Sequence, residues 1–157
     1  CDSFVGHSRT PRMQLSKRTQ YGLRAVICLA EAYERGYLQT RELASREHLP
    51  TKFLESILSA LTRGKFLVSK IGATGGYRLA RPPRDIRIAD IVARLEGKKL
   101  MEDQGEPEGT ERPGEVAIRL IQAELSDAVR EVLESLTIAQ LAEQVAQHSR
   151  GGQMYYI

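Results

Sequence analysis

The side chains with the most informative chemistry lie between residues 40 and 77. One face of the segment 51–63 carries charged or small hydrogen-bonding side chains, namely Lys52, Glu55, Ser56, Ser59 and Arg63. Such groups reach base edges and phosphates when a helix lies in the major groove of DNA. The opposite face is committed to a core, because apolar residues recur there at helical spacing: Leu54, Ile57, Leu58 and Leu61. This division between two faces is typical of a recognition helix.

A glycine-rich stretch, Gly72-Ala-Thr-Gly-Gly-Tyr77, interrupts a β-prone run that starts at Phe66 and resumes through Leu79. Glycine supplies positive φ or close backbone approach, so we predict a tight hairpin that can press against a sugar-phosphate chain. A P-loop would need a Lys-Ser or Lys-Thr pair after the last glycine, and the dinucleotide-binding glycine pattern is also absent. A nucleotide site is therefore disfavoured, and a purely structural hairpin is the alternative.

The sequence offers no pattern for catalysis or metal binding. No nucleophile, base and orienting residue lie together at motif spacing, although distant residues can assemble a site that a sequence conceals. Cys1 and Cys28 show neither zinc-site nor disulfide spacing, and the three histidines are scattered. We predict no enzyme activity, no metal and no cofactor, and we expect Cys28 to be a small buried hydrophobe.

Charge is divided unevenly along the 157 residues. Residues 13–95 hold 15 Lys and Arg against 7 Asp and Glu, whereas residues 96–157 hold 6 against 12. The basic part favours a polyanion partner, and a solvated basic face is the alternative. No apolar run approaches the ~18 residues of a membrane span, and the N-terminus lacks a signal-peptide core. We expect a cytoplasmic protein that does not contact membranes.

A first helix is predicted from the N-cap Ser16 to about Arg35, with Gly36 ending it. Its first turn carries Lys17 and Arg18. Positive side chains beside the free backbone N–H groups of a helix N-terminus suit a DNA phosphate, and simple solvation of both cations is the alternative.

Two short helices joined by a tight turn follow. Thr40 is predicted to cap the helix 41–47, and Pro50 with Thr51 to open the recognition helix, which runs to Arg63 and ends at Gly64. This spacing fits a helix-turn-helix, and the glycine hairpin behind it fits a β-wing.

The C-terminal part carries a long apolar stripe. A helix ending at Gly97 is predicted first, then a flexible loop over 98–114 that is rich in glycine, proline and acids. The stripe is spaced 3, 4, 4, 3, 4 and consists of Ile118, Ile121, Leu125, Val129, Val132 and Leu136. It suits a coiled-coil-like partner or packing within one chain, and the small winged segment favours a partner subunit. Thr137 is predicted to cap a last helix, and Gly151-Gly152 to release a tail.

Four sequence stretches resemble the Rrf-two family of bacterial winged-helix regulators. They are Met13-Gln-Leu-Ser with Tyr21 and Leu23-Arg24-Ala25, Pro50-Thr-Lys-Phe-Leu-Glu55, Gly72-Ala-Thr-Gly-Gly-Tyr-Arg-Leu-Ala-Arg-Pro-Pro83 and Leu136-Thr-Ile138. The resemblance covers about residues 13 to 145 and implies a homodimeric DNA-binding transcription regulator. Position by position, Lys52, Phe53 and Glu55 match the family's base-reading segment, and residues 72–77 match its wing.

The sequence departs from the family pattern at three places. Ile71 stands where the family commonly inserts an arginine into the minor groove; Lys70 or Arg78 could compensate, or Ile71 packs inward and the wing contacts only phosphates. Lys65 stands at the family's usual glycine, one residue after Gly64. The interval 98–114 lacks the three cysteines of cluster-binding relatives, so we predict no iron-sulfur cluster. That interval binds an unknown effector or is a solvated linker.

We therefore predict a mainly α protein with a small β-wing, that is, a winged helix-turn-helix domain with a long C-terminal dimerisation helix. The predicted parts are an extension, natural or left by cloning, a winged domain, a loop, two C-terminal helices and a tail: 1–12, 13–97, 98–114, 115–148 and 149–157. The predicted function is a homodimeric repressor of transcription that binds a pseudo-palindromic operator. A winged-helix interaction module that binds a protein partner instead of DNA is the alternative.

The predicted DNA-binding residues lie on the first helix, the recognition helix and the wing: Lys17, Arg18, Thr51, Lys52, Phe53, Glu55, Ser56, Ser59, Lys70, Gly72, Ala73, Thr74, Gly75, Gly76, Tyr77 and Arg78. The predicted dimerisation residues are those of the stripe: Ile118, Ile121, Leu125, Val129, Val132 and Leu136.

Overall fold

The structure, a computed structural model, describes residues 14–97 and 109–154, with side chains described as far as residue 152. Three predicted segments lie wholly or partly outside the described residues: the extension 1–12, residues 98–108 of the loop and residues 155–157 of the tail.

The described chain is mainly helical and contains one two-stranded antiparallel sheet, which confirms the predicted fold class. Its elements in chain order are α1 (Lys17–Glu31), α2 (Thr40–Glu47), α3 (Thr51–Arg63), β1 (Leu67–Lys70), β2 (Gly76–Leu79), a 3-10 turn (Pro83–Asp85), α4 (Ile88–Glu96), α5 (Pro113–Ser135) and α6 (Ile138–Met154). None of the helices in the described ranges is long and apolar enough to cross a membrane.

Helix α1 lies at the centre of the hydrophobic core and packs against α3 and α4. Ala25 and Val26 are fully buried. Gly22 lies where α1 meets α4, and a Cβ atom there would clash with the Leu95 side chain. A glycine in mid-helix costs about 1 kcal/mol relative to alanine, and here it allows the two helices to approach closely.

The first helix ends earlier than predicted. Ser16 is the N-cap, as predicted, and its Oγ accepts a hydrogen bond from the Thr19 N–H at 3.2 Å. However, α1 ends at Glu31 and not near Arg35. The chain tightens beyond it into turns, in which the Arg35 N–H donates to the Ala32 carbonyl at 2.8 Å. Such i→i−3 bonds commonly tighten a helix end and here replace its last predicted turn.

The predicted cap of α2 is also wrong. Thr40 is the first helical residue, and Gln39 is the N-cap without a capping side-chain hydrogen bond. The Gln39 carbonyl already accepts from the Leu43 N–H at 3.1 Å, which sets the helix start one residue before the prediction. At its other end, α2 stops at His48, which has a left-handed φ of 53°.

Helix α3 ends as predicted at Arg63, but the left-handed residue after it is not the glycine. Gly64 has an ordinary helical φ of −76°, whereas Lys65 has a φ of 63°. Non-glycine residues adopt this conformation at a cost of about 1–2 kcal/mol. Lys65 therefore carries a small backbone strain.

Thr137 caps α6 as predicted. The Gln140 N–H donates to Thr137 Oγ1 at 3.1 Å, and the Thr137 N–H donates to Gln140 Oε1 at 2.9 Å. The prediction that Gly151-Gly152 ends this helix is wrong, since α6 continues to Met154. Two glycines lower helix propensity by about 1 kcal/mol each without blocking a backbone hydrogen bond.

Two backbone hydrogen bonds join the C-terminal helices to the rest of the chain. The Ile88 N–H donates to the Leu136 carbonyl at 3.0 Å, and the Ile138 N–H donates to the Ile86 carbonyl at 2.8 Å. Arg87 and Thr137 form an antiparallel bridge between them. Ile86 and Ile138 are fully buried on either side. This junction attaches the end of α5 and the start of α6 to α4.

Candidate nucleic-acid interface

Helix α3 has the two faces that its sequence predicts. Its apolar face is fully buried through Leu54, Ile57, Leu58 and Leu61. The opposite face presents exposed polar side chains of five predicted DNA-binding residues: Thr51, Lys52, Glu55, Ser56 and Ser59. The core thus fixes the helix, and its polar face is left bare.

Phe53 packs at the side of α3 against α1. Its ring meets the Tyr21 ring edge to face, with centroids 5.5 Å apart and planes at 77°. The Arg24 guanidinium carbon lies 5.8 Å from the Tyr21 centroid. Phe53 is 37% exposed, so one part of the ring fixes the start of α3 and another part faces outward.

The start of α1 lies beside the polar face of α3. Arg18 Nη1 donates a hydrogen bond to Ser56 Oγ at 3.3 Å, and Lys17 next to it is exposed. The N–H of the cap residue Ser16 is already taken, because it donates to Glu96 Oε1 at 2.7 Å. A phosphate could therefore contact the side chains of Arg18 and Lys17. The positive end of the α1 dipole beside them is partly neutralised by the Glu96 carboxylate.

The pKa of Glu96 reflects this position. Burial acts to raise the pKa, but hydrogen bonds from Thr19 and Ser16 outweigh burial and hold the pKa below its usual value. The carboxylate is therefore charged at neutral pH.

A network of α1 and α2 side chains fixes the helix-turn-helix. Arg24 Nε pairs with Glu47 Oε2 at 3.0 Å, and the same guanidinium donates to the Glu47 backbone carbonyl. Cys28 Sγ donates to Glu47 Oε1 at 3.2 Å. Cys28 is only 6% exposed, as predicted, and burial, reinforced by Glu47, raises the pKa of its thiol to about 12. The sequence does not predict this network, because no local spacing links residues of different helices.

The wing comprises β1, β2 and their connection, residues 67–79. Leu67 pairs with Leu79 at its base and Lys70 with Gly76 at its outer end. Leu38, which precedes α2, forms an antiparallel bridge with Tyr77 of β2 through two backbone hydrogen bonds of 2.9 and 2.8 Å. Gly76 has a φ of 133°, and a Cβ there would clash with the Leu38 backbone. The wing is thus attached to the segment that leads into the helix-turn-helix.

The tip of the wing exposes an apolar side chain. Ile71 follows β1 directly and is 98% exposed. The expectation that Ile71 packs inward is therefore wrong. Leu67 and Leu79 bury the base of the hairpin in the core, and four residues beyond Leu67 the chain has left that core behind.

The two cations that could replace the missing wing arginine lie near tyrosine rings. Lys70 Nζ is 5.8 Å from the Tyr37 centroid. The Arg78 guanidinium carbon is 5.4 Å from the Tyr33 centroid and 5.8 Å from that of Tyr37. Arg78 is half-buried, and its Nε is buried without a hydrogen-bond partner among the described residues. These contacts hold Arg78 against the aromatic rings at the wing base.

The predicted stripe on α5 is bare. Ile118, Ile121, Leu125 and Val132 are 54–61% exposed, whereas Val129 and Leu136 are half-buried. Leu136 lies just beyond the helix in extended conformation. No residue of α5 is buried, so this chain leaves most of the apolar side of a 23-residue helix exposed.

The sequence matches a family model described as Rrf2, iron-dependent transcriptional regulator, over residues 15–144. It is 32% identical over 152 residues to the transcriptional regulator CymR of Bacillus subtilis, covering 92% of this chain and all of that protein. These matches confirm the predicted resemblance, and they are to regulators rather than enzymes, as predicted.

Solved structures agree. The structure of B. subtilis CymR, described as a global cysteine regulator, superposes with a TM-score of 0.73, covering 85% of this chain and 98% of that one. IscR of T. potens superposes with a TM-score of 0.71 at 28% identity, covering 85% and 88%.

The donor atoms of the described residues do not fit the iron that the family description implies. Cys28 is buried and hydrogen-bonded to Glu47, and Cys1 is the only other cysteine in the sequence. Within residues 14–97 and 109–154, no three His, Cys, Asp or Glu side chains are grouped as metal ligands. Iron-sulfur clusters take several thiolates, so we derive no role for such a group here.

Proposed function

Because the chain belongs to the Rrf2 family of transcriptional regulators, we propose that it is a homodimeric, sequence-specific DNA-binding repressor of a pseudo-palindromic operator, acting without an iron-sulfur cluster. The observation that carries this proposal is the exposed polar face of α3, with Arg18 hydrogen-bonded to Ser56 at its side. We further propose a cytoplasmic location, since such a regulator acts at the chromosome.

In the proposed complex, α3 lies in the major groove. Lys52 donates to guanine acceptors and Glu55 accepts from a cytosine amino group, which are pairings that these side chains favour. Thr51, Ser56 and Ser59 donate to bases or phosphates, and the exposed part of Phe53 contacts a thymine methyl. Lys17, Arg18 and the wing backbone hold phosphates, and these contacts fix the register of α3.

The bare stripe of α5 supports the homodimer. A helix of 23 residues is about 35 Å long at 1.5 Å per residue. Its exposed apolar side chains would gain free energy when a second copy covers them. A two-fold axis through this contact would set two recognition helices on successive major grooves, about one helical turn or a multiple apart. We propose residues 13–97 as the DNA-binding unit and 115–148 as the dimerisation helices.

The decisive experiment is selection from genomic DNA. The purified protein is incubated with a pool of genomic fragments at two salt concentrations, binding is followed by fluorescence anisotropy, and bound fragments are sequenced. Enrichment of a two-fold symmetric site is the expected result. Absence of salt-sensitive binding at low salt would contradict the proposal and favour the interaction-module alternative.

Single substitutions can then distinguish residues that contact bases from residues that contact phosphates. Glu55→Ala should relax sequence preference more than it lowers affinity, because its partner base loses its acceptor. Lys17→Ala should weaken binding to all sequences and lower the salt slope by about 1. Arg150→Ala on α6, an exposed arginine outside the proposed interface, is the control. An unchanged operator preference for Glu55→Ala would remove Glu55 from the reading surface.

A further inference from the structure

We infer that Ile71 is a specificity-determining residue that enters the minor groove as an apolar wedge and selects flexible pyrimidine–purine steps. This inference rests on the proposed DNA-binding function, but it concerns a single residue of the wing and the base step beneath it. It also predicts which sequence the operator carries beside the half-site that α3 reads.

The exposure of Ile71 is the first observation. Almost the whole side chain is in solvent, so it contributes little to the core of this chain. One exposed apolar residue on a surface is ordinary and needs no explanation by itself. The position of this one, at the start of a connection whose next four residues are glycine, alanine, threonine and glycine, is what requires an account.

The wing presents Ile71 on a fixed support. The Gln39 side-chain N–H donates to the Ala73 carbonyl at 2.9 Å, which ties the connection to the start of α2. The Gly75 N–H donates to the Gly72 carbonyl at 3.0 Å, and a Cβ on Gly75 would clash with the Lys70 carbonyl. The turn is therefore closed by the backbone of its own residues. Ile71 lies between β1 and this closed turn, so the hairpin fixes its backbone position before it meets a ligand.

Charge selects the kind of ligand. Lys70 is exposed and adjacent to Ile71 in the sequence. Arg78 lies on β2 opposite Val68 of β1, closer to the wing base. The DNA-reading face of α3 belongs to the same packed unit. An exposed apolar side chain next to an exposed lysine fits the minor groove, where two rows of phosphates border a floor of base edges.

The chemistry of isoleucine then decides which grooves are favoured. Isoleucine offers no hydrogen bond, so it cannot read donors and acceptors on the groove floor. Proteins that place such side chains in the minor groove insert them between base pairs and partly unstack the step. Pyrimidine–purine steps unstack most easily, whereas a cation favours the narrow, stiff groove of an A-tract. Ile71 should therefore produce the opposite preference to an arginine or lysine at the same position.

The test uses the operator recovered by genomic selection. Two duplexes share its α3 half-sites and differ only in the flank beside them, which carries either a TA step or an A-tract. Wild type, Ile71→Ala and Ile71→Arg are compared by competition anisotropy. We expect wild type to prefer the TA flank, Ile71→Ala to lose about tenfold on that flank only, and Ile71→Arg to prefer the A-tract.

A second readout reports insertion directly. A 2-aminopurine base placed in the TA step becomes brighter when the step unstacks, and we expect this rise with wild type but not with Ile71→Ala. Because Ile71 is exposed, both variants should keep the wild-type thermal unfolding midpoint, which checks that they fold.

The possible failures are distinct. Equal flank preference in all three proteins, with no 2-aminopurine signal, would overturn the inference and leave DNA binding by α3 intact. An equal loss on both flanks for Ile71→Ala would overturn it too, since Ile71 would then contact DNA without selecting a step. If wild type bound phosphatidylserine vesicles and Ile71→Ala did not, while both bound DNA equally, the inference would be overturned and Ile71 would be assigned to a membrane surface. No binding of any duplex at low salt would overturn the proposed function together with the inference.

Discussion

Helices α3 and α5 carry similar apolar stripes, yet one stripe is completely covered and the other is bare. The stripe of α3 is fully buried by its own chain, whereas four stripe residues of α5 are more than half exposed. Both patterns recur every three or four residues and both predict a helix with an apolar side. The spacing of apolar residues thus predicts that one side of a helix is apolar. It does not predict whether the same chain or another molecule covers that side.

The winged unit is therefore complete within one chain, and α5 is not. Residues in the first region should affect the stability of each chain, and residues in the second should affect association. Substitutions in each region can test this difference.

Leu58→Ala in α3 should destabilise the protein by roughly 2–5 kcal/mol, because it leaves a cavity in a fully packed core. The measurement is urea unfolding followed by circular dichroism. The loss should be the same at low and high protein concentration. Leu125→Ala in α5 is the matched comparison, and its smaller loss of stability should depend on protein concentration if Leu125 lies in the proposed dimer contact. A concentration-independent loss of several kcal/mol for Leu125→Ala would contradict the contrast.

Leu125→Glu should raise the dissociation constant of the proposed dimer by about a hundredfold, because a charge would be buried at the proposed subunit contact without a partner. Sedimentation velocity measures this change, and operator affinity should fall with it. The control is Leu120→Glu on the same helix, where Leu120 is 55% exposed but two residues from Ile118 and off the stripe. Equal dissociation by both variants would show that the stripe is not the contact.

The closed interior around Cys28 should make stability depend on alkaline pH. The thiol has its pKa raised to about 12 in the folded chain, from 9.0 as its ordinary value, so folding favours the protonated form. The corresponding stability is complete below pH 9 and is lost as the pH rises towards 12. Between about pH 8 and pH 10, wild type should lose about 1 kcal/mol more than Cys28→Ala. Unfolding curves at both values measure this difference, and parallel losses would show that the site is open to water.

Lys65→Gly should stabilise the winged unit by about 0.5–1 kcal/mol, because glycine adopts the left-handed conformation at little cost. Lys65→Ala removes the same charge without relieving the backbone, and it is the matched control. Thermal or urea unfolding measures both. A gain for Lys65→Ala equal to that of Lys65→Gly would attribute the effect to charge rather than to φ.

The features that sequence predicted correctly depend on neighbouring residues. Ser16 and Thr137 cap their helices through hydrogen bonds to residues three positions away, and the buried side of α3 follows from its own period. The features that it missed link distant segments. The Arg24–Glu47–Cys28 network joins two helices, and the Leu38–Tyr77 pairing joins a loop to a strand.

Ile71 and Lys65 show a further limit. Whether Ile71 turns inward depends on how far the hairpin projects from the core, which no local pattern states. Lys65 takes a glycine-like φ because the chain must turn from α3 into the sheet, and surrounding packing outweighs its own preference. The end of α1 before Arg35 has a similar origin, since turn hydrogen bonds compete with one more helical turn there.

The junction between α4 and the two C-terminal helices has a consequence for how this chain can evolve. Its hydrogen bonds join backbone groups of Ile86, Ile88, Leu136 and Ile138. The junction therefore does not depend on the side chain of the exposed residue Arg87 between Ile86 and Ile88. Substitutions that keep the extended backbone leave the joint unchanged. We therefore expect the attachment of α5 to the winged unit to tolerate changes in the length and composition of the segment between α4 and α5.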